Sequence, residues 1–387
     1  MDEILDVSLD MRDYIVSSGA ETLSMCMQCG LCTNLCPWRL VHGEVSESFN
    51  IRKMQRQAQL GLDGFDEEEV LFACVTCGMC QVNCPREVNI IENVRSMRNT
   101  TAGAGFIPKI LKPVVSSVRS NGNPWMGAKE KRAEWQEDLN IPAYSDATEY
   151  LLYVCCNSCY DPRGKKIAKS VVNLLQKAGV SFGVLTAEEK CCGESMRKLG
   201  DEELFVKLAE SNISLFNGKG VKKIITTSPH CLETFKKEYP EFGGEYEVIH
   251  YTELLGNLLK EGKIAFPTEL AKKITFHDPC YLGRHNQVFD SPRELLQAVP
   301  GVELVEMDRN KNRSLCCAGG GARVWAEVAV GERFSELRIT DAVDKEAEIL
   351  VTACPYCVTM LVDACAGMEK GDVLKVMELS ELLNAAL

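Results

Sequence analysis

The sequence predicts a multidomain α+β protein. A mostly helical N-terminal domain is followed by two pseudo-symmetric small α/β domains with Rossmann-like parallel sheets. Three observations lead there. Two four-cysteine motifs of identical spacing fall within the first 85 residues. A second cysteine pattern then repeats over about 110 residues in the C-terminal two-thirds, and short β-branched runs alternate there with amphipathic helical stretches. At 387 residues the chain is also too long for one ordinary core. The expected boundaries are 1–100 for the helical domain, 101–148 for a linker, 149–265 for the first α/β domain and 266–387 for the second.

Bulk composition is ordinary, at 45% hydrophobic and 25% charged. No apolar run of 18 residues occurs, so the chain is expected to have no transmembrane segment of its own. The start, MDEILDVSLDMRDYIVSSGAE, is acidic and lacks a basic region followed by an apolar one, which predicts a cytoplasmic protein. A net charge of −12 argues against a nucleic-acid partner, since phosphate binding needs a concentrated basic footprint. Twenty cysteines in a long chain without a signal point to metal or redox sites rather than to a disulfide framework. Cys365 alone stands outside the short motifs and reads as a small buried residue.

Residues 26–37 read CMQCGLCTNLCP and residues 74–85 read CVTCGMCQVNCP. Both follow C-x2-C-x2-C-x3-C-P, the spacing of a two-cluster bacterial ferredoxin, in which the fourth cysteine serves the other cluster. One [4Fe-4S] cubane is therefore assigned to Cys26, Cys29, Cys32 and Cys84, and a second to Cys74, Cys77, Cys80 and Cys36. Zinc sites of four cysteines use paired C-x2-C instead of this triple run. The 37 residues between Cys36 and Cys74 exceed a minimal ferredoxin, and FNIRKMQRQAQLG within them has helical periodicity. LDGFDEEEVLFAC is expected to start a further helix, with its acidic residues near the N-terminus. The long helical insert makes this module resemble the mostly helical ferredoxins of succinate-dehydrogenase iron–sulfur subunits.

From about residue 100 to 148 the periodicity weakens into turn-rich sequence, NGNPWMGAKEKRAEWQEDLNIP. Trp125 and Trp135 are expected to pack this connector against a domain, the alternative being a stacked ligand.

The repeat has three anchors. EYLLYVCCNSCYDPRG aligns with KKITFHDPCYLGRHN, each read as a strand ending at a Cys-Tyr pair, Cys159–Tyr160 and Cys280–Tyr281. KCCGES aligns with LCCAGGG, setting Cys191–Cys192 opposite Cys316–Cys317. IITTSPHC (224–231) aligns with ILVTACPYC (349–357). Cys159 to Cys191 spans 32 positions and Cys280 to Cys316 spans 36, while Cys192 to Ser228 spans 36 and Cys317 to Cys354 spans 37. KKIAKSVVNLLQKAG and DEELFVKLAESNISLFNGKG read as helices with glycine ends, VSFGVLT and VKKIITTS as strands, and GERFSELRITDAVDKEA as a helix before the strand AEILVTA. The cysteines fall at the carboxyl ends of the strands, where ligands bind in parallel sheets.

The second repeat supplies Cys280, Cys316, Cys317, Cys354 and Cys357, one thiolate more than a zinc ion or cubane uses. The adjacent pair suits bridging of neighbouring irons, and the AGGG after it permits close backbone approach. With the N-terminal motifs, this C-x35-CC-x36-C-x2-C pattern resembles the heterodisulfide reductase family, in its fused D-type subunit with a C-type ferredoxin and B-type CCG domains. The resemblance covers about residues 20–387. It implies a noncubane [4Fe-4S] cluster on the five cysteines of the second repeat. It also implies reduction of a heterodisulfide-type disulfide there, with electrons delivered through the two cubanes. The other implied role is a non-catalytic relay or bifurcation subunit. Relatives of that kind accompany sulfite reduction, benzoyl-CoA-type reductases, or lactate, glycolate and glycerol-3-phosphate oxidation.

The first repeat keeps Cys159, Cys191, Cys192 and Cys231 but has Ser228 at the fifth position, and serine is a poor ligand for soft iron–sulfur sites. Cys155 and Cys156 lie just upstream as substitutes. A noncubane cluster with altered ligation, a four-cysteine site for zinc or a conventional cluster, and an empty vestige all remain open. His230, His277 and His285 are candidate proton donors, the pair His277 and His285 around Cys280 foremost, against the alternative that they only orient neighbours. Arg284 and Arg323 read either as partners of an anionic group or as solvated surface. No G-x-G-x-x-G follows a strand, so electrons are expected from a partner in a hetero-oligomeric complex. The resemblance implies a flavoprotein (heterodisulfide reductase A-like), a hydrogenase or ferredoxin-linked module, or a membrane cytochrome that would hold the chain at the inner face of the membrane.

Overall fold

The computed structural model describes residues 8–42, 47–62, 64, 70–326 and 328–387. The chain divides into two compact units. One comprises Met1–Lys112, Ser195–Phe205 and Ala318–Phe334, the other Pro113–Glu194, Val206–Cys317 and Ser335–Leu387. The N-terminal domain is thus completed by two segments from the C-terminal two-thirds.

The first unit is helical. Ser8, Asn50 and Asn89 stand just ahead of the helices Leu9–Ser17, Ile51–Leu60 and Ile90–Gly103, and their side chains accept hydrogen bonds from first-turn amides. Ile51, Met54 and Ala58 form one buried stripe at helical spacing, Val94 and Met97 are buried on the Ile90–Gly103 helix, and buried Asn93 donates from that helix to Gln55 at 2.7 Å. The helix expected from the acidic run falls partly on residues 65–69, outside the described residues, as do residues 1–7 of the acidic start. The end of that run, Leu71–Ala73, is a single 3-10 turn.

The second unit holds two four-stranded parallel sheets. The strands are β1 (Tyr150–Tyr153), β2 (Phe182–Gly183), β3 (Lys223–Thr226), β4 (Glu247–His250), β5 (Lys272–His277), β6 (Val302–Leu304), β7 (Ile349–Thr352) and β8 (Lys375–Glu378). Their orders are β2-β1-β3-β4 and β6-β5-β7-β8, one topology written twice. β1, β3, β5 and β7 are buried along most of their length, as expected for sheets covered on both faces. The helix Pro162–Lys177 starts at the cap Asp161, whose carboxylate accepts from the Gly164 amide. The expected helices of the repeats appear as Pro162–Lys177, Glu202–Gly218 and Phe334–Val343.

A fourth anchor joins the repeat. EVIHYTELL and KVMELSELL each run from the last strand into a helix through a capping box, His250 with Glu253 and Glu378 with Glu381. These final helices cross between repeats. Leu379–Ala385 packs on Pro162–Lys177, and Arg163 pairs with Glu381 at 2.7 Å. In the matching place Tyr251–Lys260 packs on Asp290–Gln297, and Lys260 pairs with Glu294 at 2.8 Å.

The ladders correct one expected correspondence. β1 ends at Tyr153 and β5 at His277, and neither reaches a Cys-Tyr pair; Cys155–Tyr160 is a helical turn. Tyr153 pairs with Thr226, and His277 with Thr352. Because Thr226 precedes Ser228 as Thr352 precedes Cys354, Tyr153 is the counterpart of His277. Counting on three residues, Cys156 and not Cys159 is the counterpart of Cys280. Hydrogen-bond register sets equivalence between sheets, and a dipeptide match beyond the strand end carries none of it.

In the connector, the helix Lys112–Asn121 and a 3-10 run Lys129–Gln136 replace the expected irregular chain. Trp135 is buried, and the Trp125 ring lies 6.2 Å from that of Tyr356.

Candidate metal centres

In the first unit, each C-x2-C-G-x-C stretch turns sharply enough to cup a cavity. Gly30 and Gly78, both left-handed, lead into the helical turns Leu31–Leu35 and Met79–Val82. One cavity is lined by Cys26, Cys29, Cys32 and Cys84, and a second by Cys36, Cys74, Cys77 and Cys80. The fourth cysteine of each motif therefore faces the other motif's trio. The Thr76 amide donates to Cys74 Sγ at 3.4 Å, and Gln28 Nε2 to Cys26 Sγ at 3.4 Å. Burial, then the neighbouring Cys77, pushes the Cys36 and Cys80 thiols well above their ordinary range. Such thiols become thiolates only against a strong positive charge, and a metal cluster provides one.

Arg98 is fully buried behind the second cavity. Its guanidinium donates to the carbonyls of Cys74 at 2.6 Å, Leu71 at 3.0 Å and Lys198 at 2.8 Å. The glycines of AGGG close on the same loop. A Cβ at Gly320 would stand 2.4 Å from the Val75 carbonyl oxygen, and one at Gly321 2.6 Å from that of Cys74. Arg323, in the same segment, lies 5.8 Å over the Trp38 ring.

The second repeat gathers all five of its expected thiols. Cys280 Sγ lies 3.8 Å from Cys316 Sγ, Cys317 faces Cys316 and Cys357, and Cys357 faces Cys354. Each of the five is at most 5% exposed. His277 lies with Cys317 and Cys357, their ligand atoms within 4.8 Å of one another, and its buried ring meets the Cys317 thiol. Arg284 braces the chain ahead of Cys316 by donating to Asn312 and Ser314 carbonyls, a role outside both readings of it from sequence. His285 turns to other partners, its ring stacked 4.2 Å from Tyr281 and 3.5 Å from Glu233. His230, contributed by the first repeat, meets Cys354 and lies 3.0 Å from Glu194. Burial works against ionisation of Cys354, yet contacts with Cys357 and His230 hold its thiol down at about 6.

The first repeat gathers six thiols. Cys156 faces Cys191, Cys191 faces Cys192, Cys192 Sγ lies 3.5 Å from Cys231 Sγ, and Cys231 also faces Cys155. Cys159 is buried close by, and Ser228 is the buried residue that starts the helical turn Pro229–Glu233. Arg132 Nη1 donates to Cys156 Sγ at 3.4 Å and pairs with buried Glu189 at 2.5 Å. Arg132 and the reach of His230 across the repeats went unseen in the sequence. Arg132 sits in a polar connector with no periodic pattern to mark it as buried. Cys365 gives its thiol to the Leu374 carbonyl at 3.3 Å, as a small core residue.

Residues 22–88 match the 4Fe-4S dicluster domain family, and residues 150–236 and 274–362 each match the cysteine-rich domain family CCG. The chain is 36% identical, over 98% of its length, to a probable iron-sulfur-binding oxidoreductase, FadF, of Bacillus subtilis, and covers 56% of that protein. It is 37% identical, over 82% of its length, to an EtfAB:quinone oxidoreductase of Syntrophomonas wolfei, covering 47% of it. To the D-type subunit of the dihydromethanophenazine:CoB--CoM heterodisulfide reductase of Methanosarcina mazei it is 30% identical over 94% of both chains. The chain thus spans about half the length of the first two relatives and nearly all of the third. No helix among the described residues is long and apolar enough to cross a membrane. Cubane and noncubane [4Fe-4S] clusters are the cofactors of such a dicluster and CCG arrangement, and the convergent thiols fit them. The chain belongs to the heterodisulfide reductase D-type family of CCG-domain iron–sulfur electron-transfer subunits.

Proposed function

We propose that the chain carries electrons within a hetero-oligomeric complex, between a flavoprotein partner and a quinone-type acceptor on the cytoplasmic side of a membrane. Cys26, Cys29, Cys32 and Cys84 would hold one cubane, Cys36, Cys74, Cys77 and Cys80 the other. Cys280, Cys316, Cys317, Cys354 and Cys357 would hold the noncubane cluster. When bound, these clusters take up and release electrons one at a time. The chain's own residues do the rest. Arg98 fixes the Cys74 loop, His277 and His230 stand beside second-repeat thiols, and the packed surroundings exclude water. The observation that carries this reading is burial: with every second-repeat cysteine at most 5% exposed, an electron reaches the site more readily than a bulky sulfur substrate does. The names of the Bacillus and Syntrophomonas relatives, an oxidoreductase and an EtfAB:quinone oxidoreductase, support it.

A second reading is reduction of a heterodisulfide at the five-thiol site, supported by the full-length likeness to the D-type subunit of a heterodisulfide reductase. Stepwise titration of the anaerobic protein with a reduced flavoprotein, and then with a quinone analogue or a mixed thiol disulfide, separates the two. The relay predicts reoxidation by the quinone and no thiol release. Thiol release that disappears in Cys316→Ser would overturn it in favour of the second reading.

A further inference from the structure

On the footing that the second repeat binds an iron–sulfur cluster, we propose that the first repeat is also a complete five-thiol cluster site, in which Cys155 supplies the sulfur that Ser228 lacks. The ladders locate the exchange. Cys155 stands two residues beyond Tyr153 in β1, and Ser228 two beyond Thr226, the residue paired with Tyr153. In the second sheet the same two places, beyond the paired His277 and Thr352, are held by Pro279 and Cys354. Each repeat therefore carries one sulfur on this pair of adjacent strand ends, on β1 in one case and on β7 in the other.

The thiols then connect in the same order. In the second repeat the run of neighbours is Cys280, Cys316, Cys317, Cys357, Cys354. In the first it is Cys156, Cys191, Cys192, Cys231, Cys155. Position by position, Cys156 replaces Cys280 and Cys155 replaces Cys354, leaving Cys159 outside the five. Cys155 reaches its place with φ +67°, a left-handed conformation that costs a non-glycine residue on the order of 1 kcal/mol and persists only where its surroundings enforce it. Zinc fits less well. A tetrahedral ion needs thiolates about 3.8 Å apart, from Zn–S bonds of about 2.3 Å. Among the described residues only His277, Cys317 and Cys357 bring three ligand atoms within 4.8 Å of one another, so the first repeat's thiols form an extended array. Arg132, hydrogen-bonded to Cys156, would offset part of the charge that a fifth thiolate adds.

The test is iron and zinc content with Mössbauer and EPR spectra of the full chain prepared anaerobically. The wild type should hold about sixteen irons, from eight in the cubanes and about four per repeat. Cys155→Ser should lose about four irons with both cubane signals intact, Cys159→Ser should lose none, and adding Ser228→Cys to Cys155→Ser should restore them. If Cys155→Ser also loses the cubanes, the double variant decides: recovered iron upholds the site and its absence overturns it. Full iron in Cys155→Ser, iron loss confined to Cys159→Ser, or one zinc in place of first-repeat iron overturns it while leaving the second repeat untouched. Cys354→Ser isolates the footing, because iron retained in that variant overturns the cluster reading of the second repeat itself.

Discussion

The His230 ring of the first repeat lies against the Cys354 thiol of the second, and its Nδ1 is hydrogen-bonded to Glu194 at 3.0 Å. One repeat thereby places a polar group on a sulfur belonging to the other. A group that donates to a cysteine sulfur favours the more negative, reduced form of whatever that sulfur binds. His230→Gln should lower the midpoint potential of the second-repeat signal by an amount on the order of tens of millivolts, and leave both cubane potentials in place. Redox titration followed by EPR measures this. An unchanged second-repeat potential would show that the contact is only packing.

Glu378 occupies in the second repeat the place that His250 holds in the first, and it accepts a hydrogen bond from Tyr251 across the two. Burial pushes the Glu378 carboxyl up to about 8 from an ordinary 4.5, so it stays protonated in the folded protein at neutral pH. The folded state binds the extra proton between those values. The stability this contributes is full below pH 4.5 and is lost as pH rises through 8. Glu378→Gln cannot ionise and should flatten the melting profile, with an advantage over wild type that grows to on the order of a few kcal/mol by pH 9. Parallel Tm profiles from pH 5 to 9 for the two proteins would contradict it.

Much of this molecule is legible in its residues, and the limits have physical causes. C-x2-C-x2-C-x3-C-P encodes local wrapping, and the two cavities have the cysteine sets that spacing predicts. β-branched runs alternating with amphipathic stretches likewise encode parallel sheets, and both sheets are found. The match of Cys159 with Cys280 misled because residues past a strand end are free of ladder hydrogen bonds, so only Tyr153 and His277 mark the true register. The fourth anchor, EVIHYTELL against KVMELSELL, contains no cysteine to draw notice. His230 and Arg132 act through contacts distant in sequence, 36 residues to Glu194 and 24 to Cys156, which no local pattern records. Beside the thiols the repeats differ as well, since Tyr153 in the first stands where His277 stands in the second.

Arg98 should be the least replaceable cation in the first unit. Its guanidinium saturates three buried carbonyls, and its charge opposes the upward push of burial on the Cys74 thiol. Arg98→Met strands those acceptors and removes the charge, at a cost of about 3–5 kcal/mol. The expected result is loss of about four irons, those of the set containing Cys74, before any loss at Cys26, Cys29, Cys32 and Cys84. Arg98→Lys keeps the charge but lacks the fork, and should fall between. Iron counts with EPR of the two cubane signals distinguish selective from general loss.

Gly320 and Gly321 are tested by the smallest side chain. At Gly320 an added Cβ would meet the Val75 carbonyl oxygen at 2.4 Å, and at Gly321 that of Cys74 at 2.6 Å with φ +60° besides. The obstruction is backbone, which cannot swing aside as a side chain would. Gly320→Ala must push the Cys74–Cys77 loop or its own segment away, at a cost on the order of 1–3 kcal/mol, and Gly321→Ala adds the strain of a left-handed alanine. Both should broaden or shift the signal of the cubane on Cys74, Cys77 and Cys80 and speed its loss on exposure to air. The signal of the cubane on Cys26, Cys29 and Cys32 serves as the internal control, because the loop that carries those residues is not the one the glycines touch. Equal air sensitivity of the two signals in Gly320→Ala would mean that the close approach does not support the cluster loop.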